Sequence, residues 1–178
     1  MRPQSIVFGV MLLLASGIGG YFGVFSQAPS YIMGRAWDSI TERVGEPNVM
    51  SHVPLVDASS RDVVRPSPDL LYSICPFDLH KAPLRVHAEA VPDHYWSLTV
   101  FDEETNAVYV RSDRDTGGES IDVVVGRFDQ LVNKTGEKVQ VPGNKGIALV
   151  RVLMKDRSEF DAIDPIRSKS TCEPIVLR

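Results

Sequence analysis

Three histidines, His80, His87 and His94, stand close in sequence to Asp78 and Asp102, and together they have the residue types of a metal site. Zinc sites need ligand pairs a few residues apart, and this spacing matches none of those patterns. His87 and Glu89 share one face of an extended segment, but two ligands do not complete a site. No metal and no cofactor is expected. Ser73 and Cys75 are potential nucleophiles, yet neither sits in a Gly-x-Ser-x-Gly elbow or a comparable turn. Gly117-Gly118 and Gly143-Asn144-Lys145-Gly146 have the form of hairpin turns rather than phosphate loops, because no helical pattern follows them. Asn133-Lys134-Thr135 is a glycosylation acceptor in form only. No motif identifies a reaction, and the reading leans away from an enzyme.

The elements that would position these residues begin with an apolar run. Between Arg2 and Arg35 there is no charged side chain, and residues 5–25 are almost wholly apolar. As a helix that stretch rises about 31 Å, the thickness of a bilayer's hydrocarbon core. The spacing predicts a transmembrane anchor over 1–28, a stalk over 29–47 and one soluble domain over 48–178. A cleaved signal peptide is the competing reading, with its best site at Ser26-Gln27-Ala28; Pro29 directly after the cut argues against it. Ala15, Gly19 and Gly23 recur every four residues. That spacing lets two membrane helices approach closely in a homodimer, and it is also met in membrane helices that do not pair.

In the whole chain 19 basic residues face 23 acidic ones, a formal net charge of −4. An acidic domain without a Lys/Arg cluster excludes nucleic acid and anionic lipid as partners. Arg2 on one side of the anchor and Arg35 and Arg43 on the other leave the orientation open by charge. An N-terminal anchor and two cysteines favour an exported domain. In an oxidising compartment Cys75 and Cys172 would join, closing a loop of about 97 residues; two unpaired thiols are the alternative.

Tyr31–Val44 carries Met33, Trp37, Ile40 and Val44 on one helical stripe, ended by Gly45 and Pro47. It would lie at headgroup level or pack on the domain. Strands are expected near Asp62–Arg65, Leu70–Phe77, Leu84–Val91, Tyr95–Phe101, Ala107–Arg111, Ile121–Val125, Lys138–Val141 and Ile147–Met154, with a helical turn at Glu159–Ile163 before Pro165. Short strands at such intervals predict a mainly β antiparallel sandwich behind one transmembrane helix.

One block carries a resemblance. Val63-Val64-Arg65-Pro66-Ser67-Pro68-Asp69-Leu70-Leu71-Tyr72-Ser73 is followed by Phe77-Asp78-Leu79. Pro92-Asp93-His94-Tyr95-Trp96-Ser97-Leu98, Phe101-Asp102 and Thr105-Asn106 come next. Over roughly Asn48 to Asp156 this resembles a bacterial family, domain of unknown function 1254 (DUF1254). The resemblance implies an immunoglobulin-like β-sandwich and brings no dependable enzymatic activity. Longer members carry a second β-rich module of the 1214 type, so the resemblance also implies a separate envelope protein as partner. Taken with the anchor and the two cysteines, it suggests a single-pass protein of the bacterial inner membrane with a periplasmic domain acting as an interaction module.

Asp69, Tyr72, Asp78 and Asp102 fall on the family pattern. They would either line a small-molecule or hydrolase pocket around Asp69, Tyr72 and Asp102, or cap turns and fill the core. Ser67, Pro68 and Leu70 depart from the family's Asn, basic residue and Thr, which removes much of the polar cluster such a pocket would use.

Overall fold

The computed structural model describes residues 3–56 and 66–175. Pro3–Val44 form one continuous helix, α1. Its apolar side chains from Val7 to Ile32 face outward, with Leu13 at 74% and Val24 at 72% exposure. Helix α1 is long and apolar enough to cross a membrane once, and none of its most apolar stretch is buried by the rest of the chain. Pro29 lies inside it without ending it. A proline removes one backbone hydrogen bond from a helix; the α-helix continues to Val44, and the turns that follow also pack on the domain. Met33 is 6% exposed, and the Trp37 indole N–H donates to the Phe77 carbonyl at 3.1 Å. The stripe of Met33, Trp37, Ile40 and Val44 thus turns towards the β-domain. Gly45, at φ 92°, ends the helix in a left-handed conformation that glycine adopts without strain.

Among the described residues nine strands follow: β1 (Ser51–His52), β2 (Leu70–Asp78), β3 (Leu84–Ala88), β4 (Trp96–Phe101), β5 (Ala107–Ser112), β6 (Ile121–Gly126), β7 (Glu137–Gln140), β8 (Lys145–Leu153) and β9 (Thr171–Pro174). Short helices α2 (Asp113–Thr116), α3 (Phe128–Leu131) and α4 (Phe160–Arg167) connect them. One sheet has the order β1-β2-β8-β4-β5 and the other β7-β6-β3-β9. The period-two pattern explains the inward faces: Leu71, Cys75 and Phe77 on β2, Leu84, Val86 and Ala88 on β3, and Val123 and Val125 on β6 are buried. Strand β4 is buried from Trp96 to Val100 because it pairs on both sides, with β5 and with β8. Gly146 lets two groups close in: a Cβ there would meet the Phe101 carbonyl at 2.2 Å and the Phe77 ring at 2.4 Å.

The expected antiparallel immunoglobulin-like β-sandwich is corrected by this architecture. The two sheets are open, and the second is mixed, because β7 runs parallel to β6. Strand spacing counts strands but does not choose their partners. Here the segment between Gly126 and Glu137 carries α3, which returns the chain far enough for a parallel pairing. Strand β9 has no visible pattern because only Cys172 in it is buried. Helix α4 continues through Pro165, beyond the single turn expected, because Arg167 at its end is held by the fold. The strand expected at Asp62–Arg65 lies outside the described residues.

Both sheets feed one core of Leu, Val, Phe and Trp side chains. Cys75 on β2 and Cys172 on β9 form a disulfide between the sheets, with a Cα–Cα distance of 6.4 Å across a sequence separation of 97. Both cysteines are buried. A loop of that length implies a stabilisation of about 4 kcal/mol in the chain-entropy model. Cys172→Ser is expected to lower the unfolding free energy by about 3–4 kcal/mol, read from denaturant unfolding of the full chain in detergent. An unchanged midpoint would show that the bridge contributes no stability.

Candidate functional site

The expected site residues fall at two ends of the first sheet. Asp69 lies in the exposed turn before β2, where its carbonyl accepts the Met154 N–H at 2.9 Å. Tyr72 is half-buried, and its hydroxyl accepts the Ser67 N–H at 2.8 Å. Asp78 and Asp102 stand at the other end. Tyr72 pairs with Arg151, whereas Phe101 pairs with Ile147. Asp102 is therefore about five residues, roughly 16 Å, along the sheet from Tyr72. The register brings Asp69 near Tyr72 and Asp78 near the level of Asp102, but it does not bring the two pairs together.

Each aspartate at the second end is occupied by backbone. Asp102 is 2% exposed; Oδ1 accepts the N–H groups of Glu104 and Asn106, both at 2.9 Å, and Oδ2 accepts the Asn106 side-chain amide at 2.9 Å. This is an Asx-type turn between β4 and β5, with Thr105 at φ 67°. Asp78 accepts the His80 N–H at 2.9 Å and pairs with its ring at 2.6 Å. Burial pushes the Asp78 carboxyl up, but the His80 backbone and ring hydrogen bonds, with the charges of His80 and Lys145, outweigh it and hold the group below the usual carboxylate range. Asn48 clasps the same residue, donating to the Asp78 carbonyl at 2.9 Å and accepting its N–H at 2.8 Å.

The histidines also go separate ways. His87 Nε2 meets Glu89 at 2.9 Å on the outward face of β3, beside the Arg85–Asp122 pair. Arg85 hydrogen bonding, against some burial, keeps the Asp122 carboxyl below its ordinary range. His94 spans from the Pro92 carbonyl at 2.8 Å to Glu159 at 3.3 Å. Among the described residues no three such groups are placed to hold a metal ion. Ala15, Gly19 and Gly23 are exposed on α1, and a Cβ on Gly19 or Gly23 would meet nothing within 4 Å.

The densest polar cluster was not legible in the sequence. Arg167, at the end of α4, is 2% exposed. Its Nη1 donates to the Tyr72 carbonyl at 2.7 Å and to Ser73 Oγ at 3.3 Å, and Nη2 donates to the Val53 carbonyl at 2.8 Å. Nε donates to Asp164 at 2.8 Å. His52 Nδ1 then meets Ser73 Oγ at 2.8 Å. A neutral His52 satisfies this contact in either tautomer, accepting the serine proton at Nδ1 or donating to Oγ. Burial first, and the Arg167 charge second, lower the His52 pKa below 6.5. Serine beside histidine resembles a nucleophile and its base, but Ser73 is 1% exposed and paired on both sides, to His52 and Val150. The cluster leaves no room for a substrate. It clamps β1, β2 and α4.

Two outcomes follow for these residues. Asp102→Asn keeps the Oδ1 acceptor of both backbone N–H groups, sets only its amide against that of Asn106, and is expected to cost less than Asp102→Ala. Asp102→Ala strands two backbone N–H groups and costs about 2–3 kcal/mol, measured by chemical unfolding; equal effects would remove the turn from the account. For His52 the folded-state pKa is depressed, so its contribution is full above pH 6.5 and is lost as pH falls through 6.5 towards the folded value. The unfolding midpoint should drop between pH 7.5 and pH 5.5, and His52→Asn should flatten that drop.

A family profile described as "Protein of unknown function (DUF1254)" matches residues 47–174. Among solved structures, the VPA0106 protein from Vibrio parahaemolyticus superposes with a TM-score of 0.66 at 14% identity, over 85% of this chain and 36% of that one. A protein from Burkholderia cenocepacia gives a TM-score of 0.43 at 15% identity, over 93% of this chain and 51% of that one. The chain thus spans about a third of the first relative's length and half of the second's. No curated protein sequence matches. The first superposition concerns the fold alone, while the family profile covers most of the β-domain; the chain belongs to the DUF1254 family.

Proposed function

We propose that this protein is a non-catalytic interaction module, anchored by α1 in the bacterial inner membrane with its β-domain in the periplasm. The observation that carries the reading is where the polar groups are spent. Asp102, Asp78, Tyr72, Ser73 and Arg167 all hold the protein's own backbone or one another, so chemistry-bearing residues serve turns and clamps. The buried disulfide supports an oxidising compartment.

Strand β5 offers the surface. Among the described residues it ends the first sheet with no strand paired to its outer edge, though Arg111 lies 3.8 Å from Glu137 of β7, and it exposes Val108 at 36% and Val110 at 56%. An unpaired edge with apolar side chains favours addition of a strand from another protein. The proposed partner is a separate β-rich envelope protein, of the 1214 type that the family resemblance implies.

The test is a photo-crosslinking side chain at Val110 in intact cells, followed by purification and mass spectrometry. A single abundant β-rich envelope protein is expected, and Val110→Lys should reduce its recovery without moving the unfolding midpoint. Recovery of the protein alone, or only with a second copy of itself through α1, would sink the reading.

A further inference from the structure

The length of α1 and the place where the β-domain meets it constrain how far the domain stands from the membrane. The exposed apolar stretch from Val7 to Ile32 rises about 39 Å, and a bilayer with its headgroup layers measures about 40–45 Å. No length of exposed apolar helix is therefore left to act as a spacer. On the face of α1 that meets the domain Pro29 is half-buried and Met33 is 6% exposed, while Tyr31 and Ile32 on the other faces are 70% and 59% exposed.

The same turn of α1 meets a particular rim of the fold. Ser30, Met33 and Gly34 share a groove with Glu103 and Lys145. Glu103 belongs to the turn after β4 and Lys145 opens β8, so these loops sit beside the point where the apolar helix surface ends. The junction is fastened twice. Trp37 donates to the Phe77 carbonyl at 3.1 Å, and the Lys145 ammonium lies 3.8 Å from the centre of the Trp37 ring. The helix backbone is continuous across it. A domain held this way cannot swing away from the bilayer on a flexible stalk.

We propose that the rim formed by Asp102–Asn106 and Gly143–Lys145 rests in the headgroup layer of the membrane. Its chemistry suits that depth. Glu103, Glu104, Thr105 and Asn106 are exposed polar groups that hydrocarbon would reject. Glu103 folds over Gly143 and accepts the Asn144 N–H at 3.3 Å, joining the two loops into one polar surface. With Glu103 and Glu104 on it, the surface fits zwitterionic lipids, whose ammonium groups lie outermost, better than an anionic leaflet. Strand β5 runs from that rim for six residues, a path of about 20 Å, before Arg114 follows in α2.

The inference rests on α1 spanning the membrane, and one experiment separates the two. The full chain is reconstituted in phosphatidylethanolamine–phosphatidylcholine vesicles containing a small fraction of nickel-chelating lipid. Nitroxide labels are carried on encoded ketone side chains at Leu14, Glu104 or Arg114, which leaves Cys75 and Cys172 untouched. Leu14 should be open to oxygen and shielded from a soluble nickel chelate. Glu104 should then be relaxed severalfold more strongly than Arg114 by the headgroup nickel, while soluble nickel reaches both. If Leu14 is not shielded, the membrane-spanning reading fails and this proposal fails with it. If Leu14 is shielded but Glu104 and Arg114 respond equally, only the apposition of the rim to the headgroups is overturned.

Discussion

A buried guanidinium is expensive, since a cation taken out of water costs several kcal/mol unless its hydrogen bonds are remade inside. Arg167 remakes them with two backbone carbonyls, a serine hydroxyl and a carboxylate. Those partners come from three separate parts of the chain: the Val53 strap, strand β2 and helix α4 itself. The requirement to satisfy one cation therefore decides where three segments must meet. It also helps hold the end of α4 beyond Pro165, where the Ser168 N–H still donates to the Asp164 carbonyl at 3.0 Å.

A second tie acts elsewhere on the same strands. The disulfide joins β2 to β9, one strand from each sheet, and β9 pairs only with β3 in its sheet. Between them the cystine and the Arg167 clamp hold a pair of open sheets whose mutual packing is otherwise apolar and non-directional. The helix junction adds a third, through Trp37 and Asn48, at the opposite end of β2 from the clamp. Strand β2 is thus fixed near both ends and in its middle.

Much of this was legible in residue types. The apolar run of α1, the stripe from Met33 to Val44 and the strands from Leu70 to Met154 follow from periodicity, which reflects burial directly. Pairing was not legible. The parallel β6–β7 ladder and the openness of the sheets depend on how connections fold back, and period-two alternation is the same for either direction. Strand β9 shows one buried side chain, too few to form a pattern. At the site, Asp102 and Tyr72 were visible as a polar set, but their separation along the sheet is a matter of register. Arg167 left no trace, since a buried arginine is written with the same letter as a solvated one.

The order of the strands in space has a consequence for the order of events during synthesis. Strand β2 lies between β1 and β8, and its ladder pairs Leu70 with Leu153 and Asp78 with Lys145. Nothing can close that ladder until most of the chain has emerged, and the partner of Cys75 arrives later still, in β9. Contacts of such long range make for slow folding. The β4–β5 hairpin can close early, but β2 must wait for β8, with Cys75 as a free thiol until β9 arrives. The last strand to appear is the one that completes the fold, so a chain cut short before Thr171 would lack an edge strand, its disulfide and any means of securing the two sheets to each other covalently.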